Sequence, residues 1–439
     1  MVYRYLLTVV TIIAIAAFAT EDGAADSAKE ELPVSVRSVL AEVGRLMDQK
    51  AYDHAIDQLT AFQARGKSSP EAGGAANEFH HPMIYFALGN CYLLQGKNAL
   101  AQKAFSQVVE QRPEMLSAWL NLAKACYDGG RYEEAGRHFA EAYDRATEKK
   151  TEHLYFSAAA YLMAQKYPPA IAAFERLFQA HPNQVQPLWK EHWVHALLAG
   201  GQTQRALPAI KELITLHTGD ERVRWQEILI QQYMQLRMHA EARAYVAALT
   251  RQEPALARWW KMLGQIQLSA GQDAEALAAL TIYGYLTPLS AEEKKLWADL
   301  SLQANVPCQS VPVYKALLED KPDRQVLKNL VIAYQKLGDG ETALKMLDRF
   351  GTLDKDPELL MFRADLLYGL KRYAEASKAY RRAAQESHPR TGQAWLMAGY
   401  AAWQADDLTT SRQAFARAVG FEGQRKTAMM ALKQLEKIN

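Results

Sequence analysis

The residues best suited to chemistry are a helix-spaced run of donors, Glu191-His192-x-x-His195, and three cysteines, Cys91, Cys126 and Cys308. Two imidazoles three residues apart share one face of a helix and can approach one metal ion. A zinc or copper site wants three or four such donors, and the sequence offers no fourth beside them. A metal carrier is therefore the weaker reading, and no bound metal is expected. His80-His81 ends a segment rich in glycine, serine and alanine, where paired imidazoles are ordinarily solvated. No C-x-x-C pair occurs, which removes a dithiol redox motif and a haem attachment site. Cys91 and Cys126 sit at nearly equivalent places 35 residues apart. A disulfide and two small buried thiols both remain open, with the thiols favoured because spacing alone never fixes a bridge. No G-x-S-x-G, phosphate loop, H-E-x-x-H or G-x-G-x-x-G stands in a fitting context. The expectation is a protein that is not an enzyme and holds no cofactor.

What must position these residues is a repeat. Residues 82–115 align with 116–149 without a gap, so that Gly96 falls on Gly130, Ala101 on Ala135 and Phe105 on Phe139. A small residue then recurs at Ala55, Ala101, Ala135, Ala170, Ala206, Ala242, Ala276, Ser310, Ala343, Ala376 and Ser411. After a first interval of 46, the spacing stays between 33 and 36. Four residues after each comes a large apolar or aromatic side chain, from Leu59 and Phe105 to Tyr380 and Phe415. That spacing puts both on one helix face, the small one where two helices must cross closely. Gly96, Gly130, Gly201, Gly271 and Gly338 lie five residues before the small one, where the turn between two helices must fall. Pro113, Pro182, Pro254 and Pro322 mark where second helices stop. The period and its residue types are those of the tetratricopeptide repeat. The fold expected is all-α, a right-handed superhelical solenoid of about eleven helix-turn-helix repeats over 36–420.

Arg4, the apolar run Leu6–Ala17 and Ala17-Phe18-Ala19 read as an export signal at 1–19, cleaved after Ala19. The run spans about 12 residues against the roughly 20 of a bilayer-crossing helix, which favours cleavage over a retained anchor. Residues 20–35 read as a flexible acidic leader, 66–81 as an inserted loop, and 421–439 as a helix capping the last repeat. A periplasmic protein without a further span follows. Charge is nearly balanced, +2 from 51 basic and 49 acidic residues, so nothing gathers nucleic acid. In the run Ile282 to Leu286, Tyr283 reads as core and Tyr285 as exposed.

Resemblance to tetratricopeptide proteins implies a concave groove of first helices that holds a segment of a partner protein. Carried over, it begins apolar with Phe86, Asn90, Leu93, Leu94, Leu120, Tyr127, Tyr155, Leu162 and Met163. Glu191 and His195 face it next. Its middle is charged, with Arg224, Glu227, Arg258, Lys261, Glu292, Lys295 and Asp299, and its end aromatic, with Tyr368, Tyr400 and Trp403. The alternative for each is a solvated helix face. Chaperone-binding members clamp an acidic C-terminus with Lys and Asn; here Phe86, Asn90, Leu120 and Lys124 stand there, so that mode is not expected. The stretches HPMIYFALGNCYLLQGK, WQEILIQQYMQL, ALTIYGYLTPLSAEEKKLWADLSL and AWLMAGYAAWQADD resemble exported bacterial tetratricopeptide proteins encoded beside TonB–ExbB–ExbD systems. That resemblance implies a scaffold for other envelope proteins, accessory to such a transport system. A scaffold for exopolysaccharide secretion or outer-membrane assembly is the alternative.

Overall fold

Each small residue of the period lies at a helix crossing. Ala55, Ala101, Ala135, Ala170, Ala206, Ala242, Ala276, Ser310, Ala343, Ala376 and Ser411 all have 0% exposure. The large residue four further on is buried in every case too, from Leu59 to Phe415. Ser310 and Ser411 replace alanine because each hydroxyl donates to a first-helix carbonyl, Ala298 O at 2.8 Å and Gly399 O at 2.9 Å. A buried hydroxyl thereby keeps a partner. The crossing is close enough that a Cβ on Gly399 would sit 2.5 Å from the Phe415 ring.

A computed structural model describes residues 32–67, 76–349, 356–385 and 388–437. The expected export signal, most of the leader and the centre of the inserted loop lie outside the described residues. The chain forms two compact units, Met1–Arg237 and Met238–Asn439. In the first, helix pairs run Val34–Asp48 with Tyr52–Lys67, Pro82–Leu94 with Asn98–Gln111, and Leu116–Asp128 with Tyr132–Arg145. Thr151–Met163 with Tyr167–Ala180, Pro187–Ala199 with Thr203–Leu216, and the single helix Gly219–Gln235 complete it. The second opens with His239–Gln252. The pairs Ala257–Ser269 with Asp273–Leu286, Ala291–Gln303 with Pro307–Asp320, and Arg324–Lys336 with Gly340–Arg349 follow. Pro357–Gly369 with Tyr373–Gln385 and Thr391–Gln404 with Leu408–Ala418 come next. The helix Glu422–Leu435 closes this unit and buries Ala428, Ala431 and Leu435 against Ala414, Phe415 and Ala418. Among the described residues every regular element is helical.

Two expected boundaries move. The leader ends earlier, because Val34 and Ser35 already belong to the first helix. The loop assigned to 66–81 is helical at its edges, up to Lys67 and again over Ala76–Phe79.

The turn inside the repeats is a Schellman motif, with both of its bonds present in every turn except that at Arg237. In the second repeat Gly96 N–H donates to Leu93 O at 3.0 Å and Lys97 N–H to Tyr92 O at 2.8 Å. The residue five before each small one has positive φ throughout, between 57° and 76°. Glycine occupies only Gly96, Gly130, Gly201, Gly271 and Gly338; Lys50, Gln165, Arg237, Asn305, Lys371 and Asp406 hold the same left-handed conformation with a side chain.

Candidate partner-binding face

The residues expected to line a groove all lie on first helices, and packing then sorts them. In the first unit, the helix Pro82–Leu94 carries Phe86, Asn90 and Leu94. Phe86 is half-buried with its ring 5.8 Å from Phe105, and Asn90 Oδ1 accepts from Asn121 Nδ2 at 2.9 Å. Leu93 is half-buried, whereas Leu94 is 57% exposed, an apolar side chain with no cover of its own. Leu120 and Leu162 are buried and Met163 half-buried.

Tyr127 and Tyr155 depart from expectation: they are core residues, 5% and 3% exposed. Thr151–Met163 is buried on nearly all sides, as a helix with apolar residues all round must be, and it also buries Thr151, His153 and Ser157. The Tyr155 ring bridges to the next first helix, stacking 5.1 Å from Trp189 and 6.0 Å from His192. Its hydroxyl pairs with His192 Nδ1 at 3.1 Å. Position along the helix was right; the reach of a large ring across the repeat junction carried the side chain inward. Tyr127 packs edge-on to Tyr132 at 5.0 Å, and burial pushes its hydroxyl up to about 12.

In the histidine run His192 is buried, whereas Glu191 and His195 are half-buried. Burial, with His195 adding to it, lowers His192 to about 4, so the ring is neutral at physiological pH. Burial lowers His195 as well. Glu191 Oε1 lies 3.0 Å from His217 Nε2; burial raises its carboxyl, with His217 pulling the other way.

Arg224 and Glu227 are half-buried on Gly219–Gln235, Arg224 lying 3.8 Å from Glu221. In the second unit Arg258 is exposed, and Lys261 Nζ reaches Glu293 Oε1 at 2.8 Å while lying 5.5 Å from the Tyr283 ring centroid. The hydrogen bond to Glu293 raises the Lys261 ammonium, and the same bond lowers the Glu293 carboxyl. Glu293 also closes a capping box with Ser290. Glu292 is exposed and Lys295 half-buried. Asp299 is turned to structural use, accepting from Tyr314 Oη at 2.6 Å and Asn329 Nδ2 at 2.8 Å. Tyr368, Tyr400 and Trp403 are half-buried against the core, Tyr400 with its ring 5.0 Å from Phe415. Tyr283 is buried and Tyr285 84% exposed, as the sequence implied.

One ligand-type cluster escaped sequence reading. Cys126, Glu134 and His138 bring their donor atoms within 4.8 Å of one another across a helix turn. Glu134 and His138 are an i, i+4 pair, the signal that was there to find. Burial pushes the Cys126 thiol up to about 11 and lowers His138, and Arg131 bonds to Glu134. A thiol held protonated is a poor metal ligand. Cys91 is likewise a buried free thiol, pushed up to about 11 by burial, and Cys308 is free and exposed.

A family model for the tetratricopeptide repeat matches residues 86–150, 229–284, 328–387 and 363–425. The chain is a tetratricopeptide-repeat protein. Solved structures similar to it include a tetratricopeptide repeat protein from Parabacteroides merdae, 13% identical, at TM-score 0.32, over 69% of this chain and 99% of that one. Yeast Tom70 is 16% identical, at TM-score 0.30, over 92% and 95%. YrrB, a tetratricopeptide protein with an unusual peptide-binding site, is 20% identical, at TM-score 0.31, over 46% and 98%. No curated protein matches. Tetratricopeptide-repeat proteins are generally non-catalytic scaffolds that bind other proteins. Among the described residues no helix is long and apolar enough to cross a membrane.

Proposed function

We propose that this tetratricopeptide-repeat protein works in the periplasm as a protein-binding scaffold, accessory to a TonB-type energy-transducing transport system. The observation that carries the scaffold reading is the uncovered part of the first helices. Leu94 and the half-buried Met163 offer apolar contact in the first unit, and Arg258, Lys261 and Lys295 offer charge in the second. A partner segment gains affinity from buried apolar anchors and orientation from charge. Export is supported by the signal-like residues 1–19, and the transport assignment by the four resembling stretches alone.

The test places a photo-crosslinking residue at Leu94, Lys261 or Trp403 in cells and identifies adducts by mass spectrometry, with fractionation and N-terminal sequencing of the recovered chain. The expected result is a mature chain beginning at Thr20 in the periplasmic fraction, joined to transport-system components. Adducts with secretion or assembly proteins instead would transfer the role to those systems. A cytoplasmic, full-length chain would end the periplasmic reading.

A further inference from the structure

The first helices are not the only surface with recognisable chemistry. In the second unit a cleft of about 430 Å³ opens between the second helices of the last two repeats. Lys378, Arg381 and Arg382 come to it from Tyr373–Gln385, and Gln413 and Arg417 from Leu408–Ala418. Trp395 forms its wall. Among the described residues four cations line the space and no carboxylate does, in a chain whose overall charge is nearly balanced. The charge of Asp407 reaches Arg381 and that of Glu375 reaches Lys378, yet each carboxylate is bonded first to another residue. Asp407 is lowered first by its bond to Thr410, and Glu375 first by its bond to Arg372. The Arg381 Nε–H is buried with no hydrogen-bond partner. A buried donor left open costs stability unless something fills it.

The geometry also says what kind of anion fits. Guanidinium groups present forked donors that match the oxygens of phosphate, and several cations around one cleft favour a ligand carrying more than one negative charge. The Arg417 guanidinium carbon stands 4.6 Å from the centroid of the Trp395 ring, a side chain only 8% exposed. A ring so buried and already paired with a cation leaves little face for a base to stack on, so the cleft reads charge before a ring system. We propose that this cleft is a binding site for a compact, multiply charged phosphoryl anion, held by Arg381 and Arg417 with Lys378 and Arg382 completing the charge. The phosphoryl groups could come from a soluble polyphosphate or from the headgroups of a phosphate-bearing lipid surface. Neither depends on the groove or on the periplasmic assignment.

The test is calorimetric titration of the full chain with inorganic tripolyphosphate at low ionic strength, where such attraction is least screened. The wild-type chain should bind one equivalent saturably. Arg381→Gln with Arg417→Gln should weaken binding on the order of ten-fold or more, since two charge-assisted bonds are lost. A control of equal charge loss in the first unit, Lys103→Gln with Lys211→Gln, should bind as the wild type does. Arg417→Lys keeps the charge but not the fork and should fall between; circular dichroism melts confirm that each variant is folded. Cosedimentation with phosphatidylcholine vesicles containing phosphatidic acid separates the sources: capture reversed by tripolyphosphate assigns a lipid surface, and tripolyphosphate binding without capture assigns a soluble ligand. No saturable tripolyphosphate binding, or equal weakening in the control, would overturn the site.

Discussion

The two units meet the same packing demand with different chemistry. At the large position of its repeats the first unit uses Phe105, Phe139 and Phe174, whereas the second uses Tyr314 and Tyr380 at two of its positions, all nearly or fully buried. A buried tyrosine hydroxyl usually finds an acceptor, although that of Tyr127 has none. Asp299 and Asp365, each fifteen residues earlier on the first helix, accept at 2.6 Å and 2.5 Å. The first unit places its polar aromatic contact elsewhere, where Tyr155 bonds to the buried ring of His192. The difference teaches that a polar first-helix residue need not await a partner. In the second unit an aspartate is the price of a tyrosine; in the first a histidine answers one.

Acidification should separate the units most. His192 is lowered to about 4, so the unfolded chain binds a proton more readily than the folded one between roughly pH 6.5 and 4. Its contribution is fully present above about pH 6.5 and is lost as pH falls toward 4. The ceiling on this loss is about 3 kcal/mol, from the size of the shift. His138 and His195 are lowered by burial too, and lie in the same unit. Denaturant midpoints measured from pH 7 to pH 4 should fall less steeply in His192→Gln than in the wild type. Parallel curves would show that the buried ring is not what acid attacks.

The tyrosine–aspartate pairing sets a middle-sized effect. Asp365→Ala leaves the Tyr380 hydroxyl buried without an acceptor and should cost about 1–3 kcal/mol. Adding Tyr380→Phe should return most of that loss, because both polar partners are then gone. The reverse experiment imports the pair into the first unit. Phe139→Tyr should destabilise by a similar amount, since Lys124 stands fifteen residues earlier and donates rather than accepts. Lys124→Asn beside it should recover part of the loss. Thermal melts that show no recovery would mean that the pairing depends on more than this one register.

These cases mark what the sequence made legible. The period was readable because a close helix crossing is a local demand, and every small residue it named is fully buried. Side-chain direction across a repeat junction was not, since it depends on the neighbour: Tyr155 went inward because Trp189 and His192 stand where its ring can reach. Asp299 looked like groove charge until Tyr314 supplied a proton to accept. The cleft around Arg381 was missed for a plainer reason, that its cations lie on second helices, outside the face a tetratricopeptide reading inspects.

The smallest effect concerns the turns, where among the described residues each unit holds three side chains in the left-handed conformation and the units differ in which residue types do so. Lys371 in the second unit and Gln165 in the first hold φ of 62° and 57°, where glycine holds it in five other repeats. An L-residue there pays about 1–2 kcal/mol of backbone strain, and glycine gives back roughly 0.5–1 kcal/mol in unfolded-chain entropy. Lys371→Gly and Gln165→Gly should therefore each gain about 0.5–1 kcal/mol, read as a Tm raised by a degree or two. Asn305 and Asp406 should gain less from the same change, because asparagine and aspartate visit this conformation more readily. A lower Tm in Lys371→Gly would show that its side chain contributes contacts outweighing the strain. An equal gain at Lys371 and Asn305 would show that asparagine bears the same strain in this conformation as lysine does.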